Sequence, residues 1–165
     1  MRRTLRKEAV DWFDEPAEVV DIISDEPPPD DLTRAVYVFA FDGERLLLTR
    51  RRGDAEWSLP GGERRAGESL EDTARRVVSE TTGCELGTLG RLGWQQVRFP
   101  EKVPADWTYG PDSYIRLYLA DVADASPIQA ANRQFLTPVE ARAQPAVQDN
   151  HLFFEEALLV ATGRS

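Results

Sequence analysis

The chain has 165 residues, 41% of them apolar and 30% charged, which suits one core of ordinary size and is too short for two domains and a linker. Twenty basic against 29 acidic side chains leave a formal net charge of −9, which disfavours non-specific attraction to nucleic acid or to an anionic membrane. One cysteine, Cys84, and one histidine, His151, exclude an internal disulfide framework and any multi-cysteine zinc or iron–sulfur site.

No apolar run approaches the roughly twenty residues that span a bilayer. The opening residues, basic at Arg2, Arg3, Arg6 and Lys7, run into acidic sequence rather than an apolar signal core, so a reducing cytoplasm is the expected compartment. Residues 1–30 are expected to form an N-terminal arm, closed by Pro27-Pro28-Pro29 as a stiff extended connector. Within it, residues 18–23 carry two apolar pairs suited to docking on a domain edge or on a second subunit, so a homodimer is one expectation. Residues 31–165 are expected to form the folded domain.

From Thr33 the pattern becomes regular. Residues 35–41 are β-branched and aromatic, Asp42-Gly43 is a strong turn signal, and residues 46–49 read as the return strand of a hairpin. Residues 69–82 predict a helix: Ser69 can cap it, acids fill its first turn, and Gly83 sits just past its end. Residues 92–99 and 114–122 are further strand candidates, with a proline- and tryptophan-rich loop between them. A short helix is expected from Thr137, and a final amphipathic one over residues 150–160. This order suggests an α+β or layered α/β/α domain.

Between hairpin and helix lies Trp57-Ser-Leu-Pro-Gly-Gly-Glu63, followed by Gly67-Glu68-Ser69. Paired glycines let the backbone approach a ligand closely, and the start of a helix offers N–H groups suited to an anion. The physical suggestion is a phosphate or metal-phosphate site, although a Pro-Gly-Gly turn by itself is a weak signal.

Gly62, five residues, Glu68, seven residues, Arg76, then Val78, Glu80, Gly83 and Cys84 resemble the Nudix box, the loop-helix-loop of enzymes that hydrolyse a nucleoside diphosphate linked to another moiety. The hairpin before it and Phe135-Leu-Thr-Pro-Val-Glu140 after it are also similar to that family, and the resemblance covers roughly residues 33–161. It implies an α+β fold, a Nudix-type α/β/α sandwich with a mixed central sheet. It also implies Mg²⁺, or Mn²⁺, weakly held by Glu80 and Gly62, and a nucleotide-like small-molecule ligand contacted at Gly61 and Gly62. Glu80 is the implied catalytic residue, and an ion pair between Glu68 and Arg76 is the implied structural brace.

The departures are as informative. Where the consensus has three helical glutamates, this chain has Val77, Glu80 and Thr81. At about 100° per residue, with Val77 at 0°, Thr81 falls near 40°, Ala74 near 60° and Glu80 near −60°, so the face is apolar with one acid on its flank. Magnesium is often held by one or two carboxylates together with substrate phosphates, so a lone Glu80 can still recruit it once substrate arrives. Glu71 and Asp72 point away from this face. Glu101, Asp106 and Asp112, in the loop between two strands, are candidates for a replacement acid, with surface charge as the simpler account.

Arg50, Arg51, Arg52, Arg64 and Arg65 form the one dense basic cluster, with Arg51 the residue that best matches the family's phosphate-binding arginine. Trp107 and Tyr109 are the loop aromatics able to stack on a base. Cys84 reads as a small buried side chain and His151 as a cap or surface residue. Two further readings stay open: a catalytically inactive nucleotide-binding or regulatory module, motivated by Val77 and Thr81, and an oligomer contact through the arm with no small ligand.

Overall fold

The computed structural model describes residues 2–50 and 53–163. Its elements are, in chain order, β1 (Arg2–Val10), β2 (Ala17–Ser24), β3 (Thr33–Asp42), β4 (Arg45–Thr49), β5 (Gly61–Glu63), α1 (Leu70–Thr82), β6 (Cys84–Arg98), β7 (Asp112–Ala125), β8 (Arg133–Leu136), α2 (Pro138–Arg142), α3 (Pro145–Gln148) and α4 (His151–Ala161). The strands form one sheet in the order β1-β2-β6-β7-β3-β4-β8, with β5 laid alongside β3. Only the β3–β7 pair is parallel among the described strands, so the sheet is mixed.

Alternation along β3 builds a core on each face of that sheet. Phe39 and Phe41 pack with Leu46 and Leu48 under Phe153, Phe154 and Ala157 of α4. Val36, Val38 and Ala40 pack with Leu47 under Ala74, Val77 and Val78 of α1. Helices therefore cover both faces, giving the α/β/α sandwich.

α1 starts and stops where its side chains dictate. The Ser69 hydroxyl accepts from the Asp72 N–H at 3.1 Å, and Gly83 closes the helix at φ 71°, a left-handed conformation that glycine adopts without strain. α2 opens with a reciprocal capping box between Thr137 and Glu140. α3 is a single turn that starts at Pro145.

The segment expected as an arm supplies β1 and β2. β2 pairs antiparallel with β6 over residues 18–23, and Val19, Val20 and Ile22 are buried in this chain's own core, so the apolar pairs dock on the domain edge. Asp21 ties the hairpin down: its buried carboxylate accepts from Arg6 Nε of β1 at 2.8 Å and from Gln95 Nε2 of β6 at 2.8 Å. Burial pushes its pKa above the usual carboxylate value, with Gln95 and Arg6 opposing. Arg3 pairs with Glu156 of α4. Among the described residues no helix is long and apolar enough to cross a membrane.

Candidate active site

β5 carries the paired glycines into the site. Gly61 and Gly62 stand opposite Tyr37 and Val36 of β3; Gly61 needs a bare backbone and Gly62 is tightly packed. A Cβ on Gly61 would lie 2.6 Å from Val36 O and 2.3 Å from the Tyr37 ring, and one on Gly62 would lie 3.0 Å from Val77 Cγ1. The glycine strand is thus pressed between sheet and helix, with Val77 of α1 directly against it.

The loop from β5 to α1 is held by Glu68 and Arg76, which the structure brings together. Arg76 Nε donates to Glu68 Oε2 at 2.7 Å and Nη2 to Oε1 at 3.0 Å, a bidentate pair. Glu68 Oε1 also accepts from the Thr73 hydroxyl at 2.7 Å and the Arg65 N–H at 3.2 Å. These donors, the Arg76 guanidinium first among them, hold the Glu68 pKa down to about 2. Arg76 Nη2 further donates to Glu63 O at 2.9 Å, so one guanidinium clamps helix, loop and glycine strand.

Glu80 lies one turn beyond Val77 with its side chain 51% exposed. It is engaged by two arginines, Arg76 at 3.3 Å and Arg65 at 3.5 Å. Val77 is buried, and the Thr81 hydroxyl donates to Val77 O at 2.6 Å, back along its own helix. Among the described residues no group of three or more His, Cys, Asp or Glu is arranged to hold a metal ion. The donor set does not fit a cluster of two or three cations. With Glu80 the one carboxylate left where the family resemblance implies three, it fits at most one weakly held ion.

Two clefts share Arg34, one starting at Arg64 just past the glycine strand and the other reaching Tyr37 on β3; neither is lined by Gly61, Gly62 or Glu80. The larger, about 440 Å³, is bounded by Arg34, Arg64, Arg65 and Tyr109 together with Asp30 and Asp31, Asp30 being paired with Arg64 at 3.1 Å. The smaller, about 280 Å³, has walls from Trp12, Phe13 and Tyr37, with Gln95 and Asn150 as polar groups. Arg34 was not singled out from the sequence, where it reads as an ordinary polar residue opening a strand. Its guanidinium sits 5.0 Å from the Trp107 ring centre and 5.3 Å from that of Tyr109, and its Nε lacks a hydrogen-bond partner. Burial pushes its pKa below the ordinary guanidinium value.

The other candidates fall as follows. Trp107 is packed edge-on against Phe13, Phe99 and Tyr109, and its indole N–H donates to Gly110 O at 2.9 Å, so it is committed to the structure rather than open for stacking. The Tyr109 hydroxyl donates to Glu63, linking the 100–111 loop to the glycine strand. Asp112 pairs with Arg98 at 3.2 Å, while Glu101 and Asp106 are exposed. Arg64 donates to Glu68 O at 2.8 Å and Arg50 lies over Trp57 at 4.6 Å. Arg51 and Arg52 lie outside the described residues. Cys84 is buried, and His151, at the start of α4, is exposed with Nδ1 3.2 Å from Gln148 O.

The model of the NUDIX domain matches residues 31–156 of this chain. The chain belongs to the Nudix family. Over 72 residues it is 31% identical to a Bacillus subtilis (strain 168) protein described as "Putative 8-oxo-dGTP diphosphatase", covering 42% of this chain and 48% of that one. Over 84 residues it is 34% identical to a second from the same strain, "Putative 8-oxo-dGTP diphosphatase YtkD", covering 51% and 52%. The matched stretches thus span about half the length of these relatives. Among solved structures, a mutant of the Bacillus subtilis pyrophosphohydrolase BsRppH superposes with a TM-score of 0.67 at 20% identity, covering 92% of this chain and 95% of that one. A mutator MutT protein from Bacillus halodurans does so with a TM-score of 0.50 at 20% identity, covering 76% and 81%. These two likenesses concern the Nudix fold.

Proposed function

We propose that this Nudix protein hydrolyses a phosphoanhydride bond in a nucleoside diphosphate linked to another moiety, with turnover held low by its depleted acid set. The observation that carries the reading is the clamped glycine strand: Gly61 and Gly62 between β3 and α1, Arg76 binding Glu68 and Glu63 O, and Glu80 one turn along the helix. The descriptions of the relatives, "Putative 8-oxo-dGTP diphosphatase" and pyrophosphohydrolase, support a nucleotide-type substrate. The net charge of −9 favours a small ligand over nucleic acid, and one buried cysteine suits a reducing cytoplasm.

On this reading Arg34, Arg64 and Arg65 meet phosphate oxygens in the larger cleft, with Arg51 a further candidate, and forked guanidiniums suit that task. The smaller cleft offers aromatic walls and amide groups to a ring. A single Mg²⁺ or Mn²⁺ arriving with the substrate would be held by Glu80 and the Gly62 carbonyl. When bound it would neutralise phosphate charge and polarise the anhydride. Arg65 and Arg76 orient the Glu80 carboxylate, and the brace fixes Gly62 relative to α1. The test is hydrolysis of a panel of nucleoside-diphosphate derivatives with added Mg²⁺ or Mn²⁺, comparing wild type with Glu80→Gln; metal-dependent product that falls in the variant supports the assignment.

A second reading is a nucleotide-binding or regulatory module that does not cleave. Val77 against Gly62 and the two ion pairs on Glu80 favour it. Nucleotide affinity unchanged by EDTA, with no product on long incubation, selects this alternative.

A further inference from the structure

We propose that the flank of α1 turned toward β6 and β7 carries a second anion site, built from Arg116, Arg91 and the helix N-terminus, which takes a phosphate group either free or as a phosphomonoester. A cavity of about 280 Å³ lies there, lined by the first turn of α1 at Ser69, Leu70 and Glu71, and by Arg91, Arg116 and Tyr118.

Arg116 is the reason to expect an occupant. It is only 1% exposed, its Nη1 donates to Glu26 O at 2.9 Å, and its Nη2 has no hydrogen-bond partner. Among the described residues no carboxylate forms an ion pair with it. An uncompensated buried guanidinium is costly, and cores that keep one normally supply a counter-charge. Burial, with the nearby Arg91 charge, pushes its pKa below the ordinary value against the opposing Tyr118 hydroxyl, whose ring centre lies 5.6 Å from the guanidinium.

The rest of the cavity is suited to that counter-charge. The first N–H groups of a helix lack intrahelical partners and sit at its positive end, and α1 with 13 residues has a full dipole. Around the cavity three arginines, Arg64, Arg91 and Arg116, face two carboxylates, Asp30 and Glu71, and Asp30 is already bound to Arg64 at 3.1 Å. A tetrahedral oxyanion can accept from Nη2 of Arg116, from Arg91 and from the helix N–H groups together. The cavity shares Asp30 and Arg64 with the larger cleft, while Arg91, Arg116 and the first turn of α1 line this one and not that.

The test follows amide chemical shifts of the full chain at constant ionic strength while inorganic phosphate is added, with glycerol 3-phosphate in a second arm. The Leu70 and Glu71 amides are expected to move in the wild type, with affinity falling roughly tenfold in Arg91→Gln and binding lost in Arg116→Met. Arg91 is exposed, so its variant keeps the test intact if Arg116→Met fails to fold. Tighter binding in one arm assigns the free ion or the ester. First-turn amides that stay still in both arms, or that move with unchanged affinity in Arg91→Gln, overturn the proposal.

Discussion

Val77 fills the space over Gly62: its Cγ1 stands 3.0 Å from where a Cβ on residue 62 would lie. This contact closes the glycine strand against the helix, with an apolar side chain at the position where the resemblance to the Nudix box implies a glutamate.

The contact predicts a coupled pair. Gly62→Ala overpacks it and should destabilise by about 1–3 kcal/mol in urea unfolding. In a Val77→Ala background the added methyl has room, so the penalty should shrink by at least half. Equal penalties in both backgrounds would locate the strain elsewhere.

Restoring the acids tests what limits turnover. Val77→Glu with Thr81→Glu returns the three helical carboxylates that the resemblance implies, at a cost of roughly 1.5–3 kcal/mol from the lost burial of Val77, to which the desolvation of a carboxylate at that buried position adds. Mg²⁺-dependent hydrolysis should rise at least about tenfold, equivalent to ~1.4 kcal/mol of barrier. A folded double variant no faster than wild type would show that the missing carboxylates are not the limit.

The brace sets an acid limit on stability. Glu68 titrates at about 2 in the folded chain because Arg76, Thr73 and the Arg65 N–H bind its ionised form. A depressed carboxylate contributes stability above its unfolded pKa of 4.5, and that contribution is lost as pH falls toward 2. Wild type should therefore melt above Glu68→Gln at pH 7, with the gap closing between pH 4.5 and pH 2. A gap independent of pH in thermal melts would remove the ion pair as its cause.

Gly93 tests whether the N-terminal hairpin is integral. A Cβ there would stand 2.0 Å from Ile22 O of the paired β2 strand, backbone against side chain with no flexible group to yield. Gly93→Ala should cost about 3 kcal/mol or more and loosen β1 and β2 together, seen as lost hydrogen-exchange protection over residues 17–24. Retained protection there would contradict the pairing.

Legibility followed local chemistry. The β3–β4 hairpin and α1 could be read from residues 35–49 and 69–83 because the turn and both caps are written in adjacent side chains. β6 runs from Cys84 to Arg98, well beyond the expected residues 92–99: Gly87 and Gly90 break the strand pattern, yet Gly90 stays paired with Leu119 of β7 and the ladder continues past a register shift between Leu86 and Leu89 that takes in Gly87. β1 escaped notice because an exposed edge strand needs little apolar sequence; most of its residues are exposed, and its charges read as an arm. In the site, the Glu68–Arg76 spacing was visible, whereas Arg34 and Arg116 were not. Their surroundings come from rings and strands distant in sequence, and nothing beside either residue signals a half-buried guanidinium at 34 or a buried one at 116.

The most direct measurement is the initial rate of phosphoanhydride cleavage with Mg²⁺, for wild type and Glu80→Gln, on one nucleoside-diphosphate derivative from the panel. Slow, Mg²⁺-dependent turnover in wild type that drops at least about tenfold in Glu80→Gln is the expected result. Equal turnover in the two proteins, or no product from wild type on long incubation, would contradict the account.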